Sequence, residues 1–327
     1  MKKYGILMIL FITVLIFSFS IPVDKPRLTS SFGEFRGTGN RGPHFHMGVD
    51  FSTGLARGKP IYSAARGWLV RIEIDEDDIY GNVVVLEHEN GYRTIYAHLS
   101  GFSKRLEQMV KSLKEEFKNK RIVVEFPEKE IIFEKGETVG YSGDTGEASQ
   151  PHCHFEIRDS EETISYNPLK FLEVPKPVDE DIVVKKILVD EKEWDYVEGT
   201  VYEFSGDFPK LEINAYAKGY NNVLGLQEIK FYKGDEEIYR ICFDEIPWNE
   251  FNKVWDIYSE KSIVDGYRYS VWYILYPKKA SSLVKINKFP DIGKFPDYNE
   301  YKIVLMDPWG EKKVLRFYLK RRRENVF

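Results

Sequence analysis

A chain of 327 residues is long enough for about two domains, and with 43% hydrophobic and 15% aromatic residues it can fill ordinary cores, which excludes a disordered chain. Its net charge of -5 gives no electrostatic basis for nucleic-acid binding. All six histidines precede residue 155, so imidazole chemistry is confined to the first half of the chain.

Residues 1–20 read as a secretory signal. Lys2 and Lys3 form a positive n-region, and Gly5 to Phe17 is an apolar run interrupted only by Thr13. Ser18 and Ser20 supply the small residues that a signal peptidase reads, which places cleavage after Ser20. The run is slightly short for a membrane span, which needs about 20 apolar residues. Left uncleaved, residues 5–17 would instead anchor the chain to the membrane. Either outcome puts the body of the protein outside the cytoplasm, in the periplasm, the envelope or the medium. Cys153 and Cys242 do not make a disulfide framework, and both read as buried free thiols.

From Leu28 to Leu172 the pattern is one of short strands. Trp68–Ile74, Asn82–His88 and Tyr92–Leu99 are rich in β-branched and aromatic residues, with Asn90-Gly91 supplying a hairpin turn. One helix interrupts them at 103–119, where Leu106, Met109, Val110, Leu113 and Phe117 share a face. Residues 174–180, with two prolines and two acids, read as an extended linker. Beyond it, Leu211–Ala217, Gln227–Tyr232, Tyr301–Met306 and Lys313–Leu319 alternate in character, as the strands of a β-sandwich do. The tryptophans of this half (Trp194, Trp248, Trp255, Trp272 and Trp309) read as core or adhesive surface. The basic run at 320–323 reads as a solvated tail, with contact to anionic envelope polymers as the other option.

Three clusters carry the chemistry. In His152-Cys153-His154-Phe155-Glu156 a strand puts His152, His154 and Glu156 on one face and turns Cys153 into the core. Two imidazoles side by side can reach one ion, or can simply form a hydrogen-bonded pair. His46 and Asp50 would stand roughly 13 Å apart on an extended strand at about 3.3 Å per residue. Two ligands of one metal reach only about 11 Å between their Cα atoms. If both bind one ion, the chain must bend between them, and Gly48 is the expected place. His98 shares a strand face with Thr94 and Tyr96 and stands at the strand end, as a third imidazole or a polar cap. His44 could rim the site. His88, beside the hairpin turn, reads as solvated.

These residues resemble the lysostaphin/LytM-type zinc metallopeptidases of bacterial cell walls. The resemblance runs from Thr29 to Pro168. Its landmarks, in order, are His46-Met-Gly-Val-Asp50, Ile61 to Gly67, Tyr80-Gly81-Asn82, Asn90-Gly91-Tyr92, Tyr96-Ala97-His98-Leu99, Gly140 to Gly146 and His152-Cys-His-Phe-Glu-Ile-Arg158. It implies that His46, Asp50 and His154 hold one Zn2+ and that His98 and His152 are the catalytic histidines. Three protein ligands leave a fourth position open for a reacting water.

The fold expectation is mostly β. An antiparallel β-sheet metallopeptidase domain with one inserted helix spans 21–173, and 181–327 form an immunoglobulin-like β-sandwich. The functional expectation is a secreted or envelope endopeptidase that cuts peptide bonds in peptidoglycan cross-links by zinc-activated water. Its partners are peptidoglycan stems or cross-bridges, with an envelope protein on the C-terminal domain as a further option. A non-catalytic wall-binding or regulatory module with a structural zinc is the alternative. A secreted protease acting on proteins is a third reading. The sequence departs from the family at Cys153, where leucine is usual, in its long 99–140 stretch, and in having no tyrosine between Arg36 and Arg41.

Overall fold

The computed structural model describes residues 19–37, 42–75, 79–118, 121–265 and 268–322. The expected signal or anchor therefore lies almost wholly outside the described residues, but Phe19 and Ser20 do not. The Phe19 ring is buried edge-on against His88 at 5.1 Å and against Phe171 at 6.0 Å. Ser20 donates to the Ala64 carbonyl from both its backbone N–H, at 2.8 Å, and its hydroxyl, at 3.0 Å. A cut after Ser20 would take a buried ring out of the core. No helix among the described residues is long and apolar enough to cross a membrane.

An antiparallel sheet organises the first half. Its order is Leu28–Ser30, Val49–Ser52, His152–Asp159, Tyr92–Ala97, Val83–His88, Gly67–Ile74 and Ile122–Glu125. Val83–His88 is apolar at successive positions because both of its faces are covered. Val84 and Leu86 enter the main core, while Val83 and Val85 join Val70, Ile95 and Ala97 on the other side. The hairpin turn falls where the sequence puts it, with Gly91 at φ 80°. The helix forms over Lys104–Glu116 and buries Leu106 and Val110. Phe117 lies one residue past its end and is 43% exposed, so the apolar face is shorter than its periodicity suggests.

The second half contains two sheets. One has the order Lys192–Asp195, Asp181–Val189, Leu211–Gly219, Asn222–Leu224, with Trp272–Ile274 also paired to Leu211–Gly219. The other runs Val201–Phe204, Lys312–Arg321, Tyr298–Met306, Glu228–Lys233, Glu236–Cys242, Val284–Asn287. Val201–Phe204 joins it in parallel. Ile187 and Ile213 from the first sheet share one core with Phe231, Ile303 and Phe317 from the second. The 174–180 stretch carries no strand, yet it is held at both ends. Asp179 accepts from the Tyr220 and Asn221 amides at 2.8 and 2.7 Å, and the Pro175 carbonyl accepts from the Trp309 indole at 3.2 Å.

The two halves are joined by main chain. Ile164–Tyr166, at the edge of the first sheet, pairs with Glu245–Pro247. The Phe45 amide donates to the Phe251 carbonyl at 3.0 Å, and the Tyr258 hydroxyl donates to the Gly33 carbonyl at 2.7 Å. Buried Glu34 accepts from the Ser31 amide at 2.6 Å and the Gly225 amide at 2.9 Å. None of these links leaves a trace in sequence periodicity.

Candidate metal centre and cleft

Register assembles the site. On the strand His152–Asp159, His154 lies opposite Asp50 on one side and opposite Ala97 on the other. That places His98, one residue beyond Ala97, beside the same ring. The strand before Asp50 breaks after Phe45 and resumes at Val49, which swings His46 back toward Asp50. Gly48 sits in this break, but its role differs from the expected one. Its φ is not left-handed; a Cβ there would stand 2.5 Å from the Phe155 carbonyl and 3.0 Å from the His154 ring. Glycine is needed for close approach to the neighbouring strand.

Three donor atoms converge. His46 Nε2 lies 3.1 Å from Asp50 Oδ1 and 3.0 Å from His154 Nδ1, and His154 Nδ1 lies 2.9 Å from Asp50 Oδ1. Tetrahedral zinc with bonds near 2.0–2.1 Å separates its ligand atoms by roughly 3.3 Å, close to these edges. The outward nitrogens fix the ring states. His46 Nδ1 donates to the Ser31 carbonyl at 2.8 Å, and His154 Nε2 donates to Glu156 at 2.8 Å. With those hydrogens turned outward, three lone pairs meet in a buried space, and only a cation or a proton can satisfy them. The donor set therefore fits one zinc ion.

The electrostatics agree. Burial pushes the His154 pKa down, but hydrogen bonds and charge from Asp50 and Glu156 outweigh it and raise it to about 9. Burial would raise the Asp50 pKa, yet the charge of His46 and His152 holds it well below the usual value. Glu156 behaves likewise: burial opposes its charge, and Arg158 with His154 brings it to about 2. Burial, and then the charge of Arg36, lowers the His46 pKa, so the carboxylates favour positive charge at His154 while His46 keeps its lone pair.

His98 and His152 face the same cavity. Their rings lie 4.8 Å apart, and His152 Nε2 is 3.5 Å from Asp50 Oδ1. His98 Nδ1 donates to the Thr145 carbonyl at 2.9 Å, and His152 Nδ1 donates to the Gln150 carbonyl at 2.8 Å. Each therefore turns Nε2 inward. His98 holds a left-handed backbone, φ 57°, uncommon for a side chain of its size. Gly143 lets the chain pass over it; a Cβ there would stand 2.7 Å from the His98 carbonyl. Burial first, then the charge of His152 and His154, keeps the His98 pKa well below its ordinary value.

The two other histidines lie apart from the metal-centre triangle. His44 lines the cavity and stacks on Phe251 at 4.7 Å. His88 is not solvated, as its place beside the turn suggested. It is 3% exposed, with Nδ1 bonded to the Arg66 carbonyl at 2.9 Å and Nε2 to Thr94 at 2.8 Å. The hairpin curls its end under Phe19, a contact too distant in sequence to be read. Cys153 and Cys242 are both buried and free.

Sequence reasoning missed the supporting roles of three residues. Glu156 shares the strand face of His152 and His154, and that parity was the available signal. Arg36 gave none: its guanidinium donates to Asp50 Oδ2 at 3.0 Å, leaving Oδ1 turned to the histidines. Arg158 braces Glu156 with a 2.6 Å bond from Nε and also reaches the Tyr80 hydroxyl at 3.1 Å.

Residues 44–114 match the family described as Peptidase family M23. The chain carries a peptidase M23 domain. It is 30% identical over 137 residues to the DD-carboxypeptidase/endopeptidase Mpg of Neisseria meningitidis serogroup B, a match covering 42% of this chain and 25% of that protein. It is 30% identical over 141 residues to the peptidoglycan DD-endopeptidase ShyB of Vibrio cholerae, covering 42% and 26%. The chain thus spans about a quarter of the length of these curated relatives. Among solved structures, a zinc-containing peptidase from Vibrio cholerae is 27% identical, with TM-score 0.31 and coverage of 48% of this chain and 41% of that one. The catalytic domain of lysostaphin from Staphylococcus simulans is 22% identical, with TM-score 0.32 and coverage of 45% and 91%. The family assignment rests on the sequence matches.

Proposed function

We propose that the chain is an envelope or secreted zinc endopeptidase that hydrolyses peptide bonds in peptidoglycan cross-links. One observation carries this reading: three inward lone pairs stand in a triangle with 2.9–3.1 Å edges, and two further histidines turn Nε2 into the same cavity. A purely structural ion would need no such pair. The relatives named for DD-endopeptidase activity support the substrate class, and such a substrate lies outside the cytoplasm.

His46, Asp50 and His154 would hold the ion, which when bound supplies Lewis acidity to a carbonyl and makes water acidic near neutral pH. The other work falls to side chains. His98, kept neutral by burial, accepts the proton of the attacking water at Nε2. His152 at the cavity mouth, with Nδ1–H held by Gln150, can donate to the carbonyl oxygen only when Nε2 carries a second proton, and in that imidazolium form it stabilises the negative charge growing there. The proton then passes to the leaving amine. Arg36 and Glu156 hold the ligands in place, and Glu156, fully buried, does not touch substrate. The C-terminal half, in this reading, places the domain on its wall or partner.

The test is release of defined products from purified sacculi by the zinc-loaded protein, identified by mass. Abolished release in His98→Ala with full zinc content is the expected result. Undiminished release would remove His98 from the chemistry. A wild-type protein that keeps zinc and cleaves nothing would favour the non-catalytic, wall-binding reading.

A further inference from the structure

The cavity over the metal centre holds about 550 Å³, enough for a small ligand or a few residues of extended peptide. It has two sides. One is built by the peptidase half: Ile79 and Tyr80 lie beside 147–149, tied by the Glu147 amide donating to the Ile79 carbonyl at 3.1 Å. The other mixes both halves of the chain. His44 and Gly37 line it together with Phe251, Val264 and Asp265, which stand more than 200 positions later.

This second side is built in, not merely adjacent. Phe251 is buried between His44, stacked at 4.7 Å and 23°, and Trp248, stacked at 5.1 Å and 25°. The Arg158 guanidinium lies 4.4 Å from the Trp248 ring centre, on the same side chain that braces Glu156 and, through it, His154. A Cβ on Gly37 would stand 2.7 Å from the Val264 carbonyl, so the two halves meet there at backbone contact. The strand pairing of Ile164–Tyr166 with Glu245–Pro247 fixes the segment along the sheet edge.

We propose that residues 245–265 form one wall of the substrate cleft and decide which peptide flank it admits, so that the C-terminal half is a specificity element of the active site. The proposal rests on the peptidase reading and adds to it. An extended peptide lying across the metal centre must pass His44 and Phe251 on this side. A folded polypeptide loop finds the cleft narrowed by a wall that the peptidase half alone would lack. Phe251 touches neither ion nor reacting carbonyl, so its effect falls on substrate binding.

The experiment uses the full chain, zinc-loaded, with a cross-linked muropeptide dimer as substrate. Phe251→Ala, Asp265→Arg and a distant control, Tyr298→Ala, are compared with wild type for kcat, KM, zinc content and Tm. Truncating one wall contact should raise KM about tenfold with kcat nearly unchanged. Zinc content should stay full, and Tyr298→Ala should match wild type. Asp265→Arg alters the part-exposed rim, where Asp265 pairs with Arg268, without opening the core, and it should shift KM even if Phe251→Ala proves too unstable to assay. Wild-type KM in both wall variants overturns the proposal. A parallel fall of kcat and zinc content also overturns it, because the segment would then only brace the metal. A wild-type enzyme that cleaves no dimer sinks the peptidase reading itself, which is a different outcome.

Discussion

His88 and His98 stand at opposite ends of one hairpin, and both are buried. At the His88 end both ring nitrogens are consumed by the protein, one by the Arg66 carbonyl and one by Thr94. At the His98 end only Nδ1 is bonded among the described residues, and Nε2 faces the cavity. Burial and residue type are the same in the two regions. What separates a structural histidine from a chemical one is whether the fold leaves a nitrogen over.

The largest effect should come from the metal centre. His154→Ala removes one of three proposed ligands and takes from Asp50 and Glu156 the imidazole they share. Zinc content measured by mass spectrometry should fall to background, and turnover with it. Next is His98→Ala, where loss of the proposed general base should lower kcat by about 10²- to 10⁴-fold with zinc content intact. If zinc is lost as well, the contrast between His98 and the ligands fails. Third is Glu156→Gln, which removes an outer partner of a metal histidine; zinc affinity should weaken by about 10- to 100-fold, read by chelator competition.

At the other end of the hairpin, changes should reach stability and spare chemistry. Phe19→Ala opens the core beside His88 and should cost about 3–5 kcal/mol by denaturant unfolding, with turnover of the folded fraction unchanged. Mass analysis of the exported chain checks the same contact, since an N-terminus at Ile21 would mean that the Phe19 contact is dispensable. The smallest effect is one of pH. Burial lowers the His88 pKa in the folded state, so the unfolded chain takes up the proton first. Stability should therefore fall as pH drops below 6.5, the unfolded value, until the lower folded value is passed. A His88→Gln variant should show a flatter pH dependence of Tm there.

Much of this was legible in the sequence, for identifiable reasons. Alternation along residues 152–156 is enough to separate the ligand face from Cys153, because strand parity is a local property. The need for a break between His46 and Asp50 follows from reach alone. The reason for Gly48 did not follow, since it depends on how close Phe155 comes from a strand more than 100 residues later. Arg36 and the fate of His88 were illegible for the same reason: each is decided by partners distant in sequence. The strands of the second half were readable from alternation, but their pairing to the edge of the first sheet was not.

The placement of Phe251 has a consequence for order of assembly. The five residues of the metal centre and its flanking histidines are all present once residue 154 has emerged from synthesis. The cleft around them is completed only when a segment nearly a hundred residues further on has docked against His44. A chain still being synthesised, or clipped after its first half, would carry the full set of reactive groups with one flank open. Full hydrolytic competence would therefore arrive last, after the remainder of the chain has found its place, and the fold itself would act as the timer.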